Sequence, residues 1–118
     1  MLIKYNNYIM ILDNNTEYQE FPNLKGGEMS LFAKMFFDGN VRILRAYLPP
    51  GASIGYHRHE ENAEIMYFLS GSGIVNDNGE ERPVKAGQTT YCEKGKAHSL
   101  TNNGSEDLHF FAVVPELR

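Results

Sequence analysis

The stretch of sequence that decides the fold is residues 51–71, which read GASIGYHRHEENAEIMYFLSG. It carries His57 and His59 with one residue between them, and Glu64 follows five residues after His59. Alternate residues of a β-strand point to the same face, so both imidazoles are predicted to lie close enough to share one metal ion. Glu64 has an odd offset and would face the opposite side of a continuous strand. The polar residues 60–63 therefore predict a turn before Glu64.

A third histidine, His98, comes from a distant segment, after Gly95 and at the start of a short predicted strand. With His57, His59 and Glu64 it makes a set of three imidazoles and one carboxylate. This mixture of nitrogen and oxygen donors suits manganese, iron, cobalt, nickel, copper or zinc. The four residues are therefore the candidate ligands of one divalent transition metal, whereas a His-x-His pair alone is found in many strands that hold no metal.

The same stretch resembles the first conserved motif of the cupin superfamily. That motif runs glycine, five residues, His-x-His, three or four residues, glutamate, six residues, glycine. This sequence has a match at every position: Gly51, His57, His59, Glu64 and Gly71.

A later segment resembles the second cupin motif, in which glycine, proline, glycine, histidine and asparagine recur at fixed spacing. Gly87, Gly95, His98 and Asn102 match it, and Glu93 stands where proline is usual. Loss of the proline removes some rigidity from the turn before His98 but removes no ligand. The two motifs together cover about half of the chain.

The resemblance implies an all-β fold, a double-stranded β-helix or jelly-roll-like barrel, with a metal ion near one mouth. Carried over by position, the implied metal ligands are His57, His59, Glu64 and His98. Four protein ligands on an ion that prefers five or six leave one or two positions open for water, substrate or dioxygen. The resemblance assigns no further catalytic residue.

The rest of the chain predicts short antiparallel strands. Runs rich in β-branched and aromatic residues favour strands at 41–48, 65–75, 89–92 and 108–114. Turn-forming residues separate these runs, and Asn78-Gly79 is the best hairpin signal, since a tight primed turn needs positive φ at both positions. The stretch 28–37 has apolar residues that fit a short helix or a strand, and we favour the strand.

Length predicts one domain over residues 1–118, with a peripheral strand (8–12) and loop in 1–27 and the barrel in 28–118. The net charge of −4 carries no long run of one sign, which argues against a nucleic-acid surface or a membrane patch. Residues 1–12 lack a secretory signal pattern, so a cytoplasmic location is expected. The single cysteine, Cys92, is expected to be an ordinary buried thiol.

Two classes of function fit this prediction, and both use a small-molecule ligand. One is a metal-dependent enzyme that acts on a small polar or sugar-like metabolite as an isomerase, epimerase, lyase or dioxygenase. The alternative is a non-catalytic module that binds or senses a small ligand, with the metal as anchor or structural element. Strands that are apolar on both faces, such as 65–69, also predict that a second copy covers the outer surface in a homodimer.

Several other side chains are candidates for ligand contacts. Arg42 and Arg45 could hold a carboxylate or a phosphate through paired hydrogen bonds, although solvent exposure is the expected state of both. His109 is expected to pack in or on the last strand rather than to face the site. The remaining residues near the motifs are expected to be packed aromatics or solvated carboxylates: Tyr47, Tyr56, Tyr67, Tyr91, Glu60 and Glu61.

Overall fold

The computed structural model describes residues 2–4 and 9–118, and within them the fold is built almost entirely from antiparallel strands. The strands are β1 (Leu2–Lys4), β2 (Met10–Leu12), β3 (Gln19–Pro22), β4 (Ser30–Phe37), β5 (Val41–Leu48), β6 (Ser53–Arg58), β7 (Glu64–Ser70), β8 (Ser72–Asp77), β9 (Glu80–Lys85), β10 (Thr89–Cys92), β11 (Ala97–Thr101) and β12 (Leu108–Pro115). A short 3₁₀ turn, Leu24–Gly26, precedes β4. No helix in these residues has the length and hydropathy needed to cross a membrane.

Two sheets pack against each other and form the barrel. One has six strands in the order β10-β7-β12-β5-β4-β3, and the other has four in the order β6-β11-β8-β9. Strands β1 and β2 form a separate two-stranded ribbon. This double-sheet arrangement confirms the predicted all-β, jelly-roll-like fold.

The core lies between the two sheets and follows from the alternation of side chains along each strand. In β12 every second residue is buried, because a strand points successive side chains to opposite faces. These inward residues pack with those of β4, β5 and β7 and with a smaller set from the four-stranded sheet. The largest fully buried apolar side chains are Phe68, Phe110, Leu31, Leu48, Met66 and Leu108.

Most of the predicted strands are confirmed. Strands at 41–48 and 89–92 have the predicted bounds, the strand at 108–114 is one residue longer, and the stretch 28–37 contains β4. The single strand predicted over 65–75 is wrong, since β7 ends at Ser70 and β8 begins at Ser72 in the other sheet. Gly71 lies between them with a φ of 88°, a conformation that glycine adopts without steric penalty. The chain therefore changes sheets at this glycine.

The hairpin predicted at Asn78-Gly79 is also confirmed. The two residues have φ values of 52° and 101°, and they join β8 to β9 with Asp77 opposite Glu80. A primed turn requires positive φ at both of its central residues.

Three strands lie where the sequence predicts none, and one of them, β1, precedes the predicted peripheral strand. The loop predicted after residue 12 contains β3, and the polar segment after the hairpin forms β9 with Pro83 inside it. Both are edge strands, and an edge tolerates polar residues and proline because one side makes no ladder bonds. Of the predicted peripheral strand at 8–12, residues 10–12 form β2 and Tyr8 lies outside the described residues.

The outer face of β7 is apolar, as predicted. Ile65, Tyr67 and Leu69 are 40%, 44% and 40% exposed, and they alternate with the buried Met66 and Phe68. The homodimer expected from this surface stays a prediction.

Candidate metal centre

The three histidines of the motifs come from two neighbouring strands of the four-stranded sheet. His57 lies in β6, His59 follows the end of that strand, and His98 lies in β11 directly opposite His57. Glu64 is the first residue of β7 in the facing sheet. The predicted turn before it is present, because the chain leaves β6 at Arg58 and enters β7 at Glu64. The site therefore lies between the two sheets at one end of the barrel.

The four side chains converge on one point. One donor atom from each of His57, His59, Glu64 and His98 lies within 4.8 Å of all the others. Glu64 Oε1 is 2.9 Å from His98 Nε2 and 3.3 Å from His59 Nε2, and the two Nε2 atoms are 3.0 Å apart. The structure thus brings together every residue that the sequence predicted as a metal ligand.

The cluster is shielded from solvent. The side chains of His59, His98 and Glu64 are 8%, 7% and 12% exposed. A desolvated carboxylate is unfavourable unless a cation or several hydrogen bonds compensate it. Burial therefore favours a bound cation at this point.

Two hydrogen bonds orient the imidazoles. His57 Nδ1 donates to the carbonyl oxygen of Gly55 at 2.7 Å, and His59 Nδ1 lies 2.6 Å from Asn62 Oδ1. A carbonyl oxygen only accepts, so His57 carries its proton on Nδ1 and presents the lone pair of Nε2 to the cluster. Partners of this kind fix the ring orientation of metal-binding histidines. These roles of Gly55 and Asn62 could not be predicted from the sequence.

The electrostatics of the cluster fit a cation. Burial alone raises the pKa of Glu64, but the hydrogen bonds with His59 and His98 outweigh it and bring the pKa to about 2. Burial likewise lowers the pKa of His59, yet the hydrogen bonds to Glu64 and Asn62 prevail and the net shift is upward. The ionised Glu64 carboxylate among three imidazoles therefore favours a positive charge at the centre of the cluster, which a divalent metal can supply in place of a proton. The donor set fits such an ion.

Replacing Asn62 by alanine is expected to weaken metal binding by about 10- to 100-fold, because the His59 ring loses the partner that orients it. Competition with a chromophoric chelator measures the affinity. Asn62→Asp keeps an oxygen at the acceptor position and serves as the matched control, with affinity near that of the wild type. Equal affinities for Asn62→Ala and the wild type would contradict this role of Asn62.

Other predicted residues take different positions. His109 lies on the outer face with Nδ1 3.2 Å from an Arg45 nitrogen, so both face away from the site. Cys92 is buried beside Glu64, as predicted, and burial raises the pKa of its thiol to about 11. Arg42 and Arg45 are both half-buried, which corrects the expectation of solvated side chains, and Arg42 lines the cavity next to the cluster.

The cavity beside the cluster is about 400 Å³ in volume. Its walls include His57, His59 and Glu64 from the cluster, the charged side chains Lys25 and Arg42, and apolar residues of β4 and β5. This volume is in the range of small-molecule pockets, roughly 300–1,000 Å³. A second cavity of about 380 Å³ adjoins His98 from the other side, between β9 and β10.

The fold and the site together define a double-stranded β-helix protein with a candidate metal centre at one mouth of the barrel. Comparison with known proteins agrees with this class. The chain belongs to the cupin family, because the family model of the cupin domain matches residues 44–114, more than half of its length.

Among its relatives is an oxalate-binding protein of Thermotoga maritima, 40% identical over an alignment of 102 residues that covers 81% of this chain and 84% of the relative. The solved structure of a "predicted oxalate decarboxylase" from Thermotoga maritima superposes with a TM-score of 0.85 at 33% identity, over 92% of this chain and all of the other. A cupin barrel protein from Salinispora arenicola shares the fold with a TM-score of 0.69 at 24% identity, over 95% and 91% of the two chains.

Proposed function

We propose that this protein holds one divalent transition metal through His57, His59, Glu64 and His98 and binds a small dicarboxylate such as oxalate on that metal. The convergence of four donors, three of them shielded from solvent, beside a cavity carries the proposal. The four donors leave one or two coordination positions for a ligand. Two carboxylate oxygens of oxalate suit two such positions, and a relative that is 40% identical is an oxalate-binding protein.

We favour the binding module over the enzyme, because the relative with 40% identity is named for binding, whereas the solved structure with 33% identity is named only as a predicted decarboxylase. The isomerase, epimerase, lyase and dioxygenase activities stay predictions. Mass spectrometry of oxalate incubated with metal-loaded protein separates the two classes. Intact oxalate supports the binding module, whereas release of carbon dioxide or uptake of oxygen supports an enzyme.

Calorimetric titration of oxalate into metal-free protein and into protein loaded with manganese, cobalt, nickel or zinc tests the proposal. We expect elemental analysis to find one metal ion per chain and oxalate to bind only the loaded protein. In the cobalt-loaded protein, oxalate is expected to change the visible spectrum, since it enters the coordination sphere. Oxalate binding that survives removal of the metal by a chelator would contradict the proposal, as would failure to bind any of these metals.

A further inference from the structure

A row of inward-facing side chains crosses the six-stranded sheet at the mouth of the barrel. In the strand register Phe37 lies opposite Arg42, Arg42 lies opposite Val114, and the pairing of β12 with β7 places Val114 beside Glu64. Arg42 and Glu64 are therefore two strands apart in the same row, with about 10 Å between their backbones. Both side chains line the cavity of the candidate metal centre.

The Arg42 side chain is held in place but has no anionic partner. Its Nε atom is buried without a hydrogen bond, and within residues 9–118 the structure shows no ion pair for its guanidinium. The guanidinium carbon lies 4.5 Å from the centre of the Phe37 ring, a cation–π contact that fixes its orientation. A buried donor without a partner is unfavourable, so this position is suited to an acceptor that the protein itself does not provide.

Glu64 does not fill that role. Its carboxylate is engaged by His59 and His98, and it forms no ion pair with Arg42. The space between the cluster and the guanidinium therefore suits a small molecule with acceptor oxygens on two opposite edges. The oxygens of one edge would take the open positions at the metal, and those of the other edge would face Arg42.

We propose that Arg42 is the second anchor of the site, which pairs with the carboxylate oxygens of a dicarboxylate that point away from the metal. The inference rests on the proposed function and extends it, because it makes Arg42 the residue that selects dicarboxylates over monocarboxylates. A guanidinium matches a carboxylate with two parallel hydrogen bonds, which gives this selection both energy and direction.

The other cations of the cavity are less suited to this role. Lys25 is exposed on the 3₁₀ turn, and Arg58 is exposed with one guanidinium nitrogen bound to the carbonyl oxygen of Gly95 at 2.6 Å. Glu60 and Glu61 lie exposed at the rim, where solvent screens their charge. Within the described part of the chain, Arg42 is the cation of this cavity that has a buried donor atom without a hydrogen bond.

Titration of oxalate and acetate into manganese-loaded wild type, Arg42→Gln and Arg42→Lys tests the inference by calorimetry. We expect Arg42→Gln to weaken oxalate binding by roughly 10- to 100-fold, the effect of losing hydrogen bonds to a charged group. Acetate, which has one carboxylate, is expected to change by less than about threefold. Arg42→Lys keeps the charge but not the paired geometry, so its oxalate affinity should fall between the two.

Arg45→Gln is the matched control, because Arg45 lies on the same strand but faces outward towards His109. Its affinity for oxalate should equal that of the wild type, and metal content should be the same in all four proteins. Unchanged oxalate binding in Arg42→Gln would overturn the inference, and so would an equal loss of oxalate and acetate. Wild-type loaded protein that binds no oxalate would instead refute the proposed function, and the role of Arg42 with it. If Arg42→Gln fails to fold, Arg42→Lys is compared with the wild type instead. Unchanged oxalate binding in Arg42→Lys, or an equal loss of oxalate and acetate, would then overturn the inference.

Discussion

Replacing His98 by alanine is expected to weaken metal binding by at least about 100-fold. This loss exceeds the one expected for Asn62→Ala, which removes only the hydrogen-bond partner of a ligand. His98 Nε2 lies 2.9 Å from Glu64 Oε1 and 3.0 Å from His59 Nε2, so it is central to the cluster. Its removal leaves three donors and opens a space beside a carboxylate that depends on cations for compensation. Elemental analysis after dialysis and competition with a chromophoric chelator measure the loss.

His109→Ala is the control for this variant. It removes an imidazole that lies on the outer face beside Arg45 and Tyr47, so metal affinity should match that of the wild type. Retention of one tightly bound metal ion per chain in His98→Ala would show that His98 is not a ligand. Both variants should be compared as folded proteins, with their thermal unfolding recorded alongside the metal content.

Replacing Gly55 by alanine is expected to lower the free energy of unfolding by about 3 kcal/mol, or roughly 10–20 °C in Tm. A Cβ atom at Gly55 would lie inside the van der Waals contact distance of the Lys25 carbonyl oxygen and 3.0 Å from the backbone nitrogen of Gly27. These are backbone atoms, so either β6 or the 3₁₀ turn must move. Because the Gly55 carbonyl also accepts the hydrogen bond from His57, metal affinity should fall as well.

Thermal unfolding in the presence of chelator isolates the packing effect from the effect on metal binding. Gly104→Ala is the matched control, because its Cβ would have longer contacts. The nearest atoms are the Ser72 hydroxyl at 3.2 Å, Asn102 Oδ1 at 3.4 Å and the Ser72 carbonyl oxygen at 3.6 Å. We expect this control to change stability by less than about 1 kcal/mol. Equal Tm values for Gly55→Ala and the control would show that β6 and the turn are not in close contact.

Two of the candidate ligands, His57 and His59, could be predicted from local spacing alone, because the alternation of a strand places them together. Glu64 and His98 could be predicted because the two motifs that the sequence resembles contain them. Asn102 matches the second motif by position, but its role could not be predicted. In the structure its buried amide donates to the carbonyl oxygens of Leu48 and Glu106 and so fixes the loop after β11.

The role of Arg42 could not be predicted, because it depends on the register between strands that are distant in sequence. Whether an arginine at this position points to solvent or into the cavity follows from the pairing of β5 with β4 and β12. The break between β7 and β8 at Gly71 could not be predicted for a similar reason. A glycine inside an apolar run is compatible with a continuous strand, and only the packing of two sheets makes it a crossing point.

The place of β12 in the six-stranded sheet has a consequence for the order of events during synthesis. β12 lies between β5 and β7, so each of these strands keeps one edge unpaired until residues 108–115 have been synthesised, although β4 and β10 can already pair with their other edges. A nascent chain that reaches only to β11 therefore exposes the unpaired backbone N–H and C=O groups of these two edges, together with the inward side chains that lie beside Phe110 and Ala112. The six-stranded sheet is consequently completed only when β12 docks, and until then the open edges of β5 and β7 can pair with another chain.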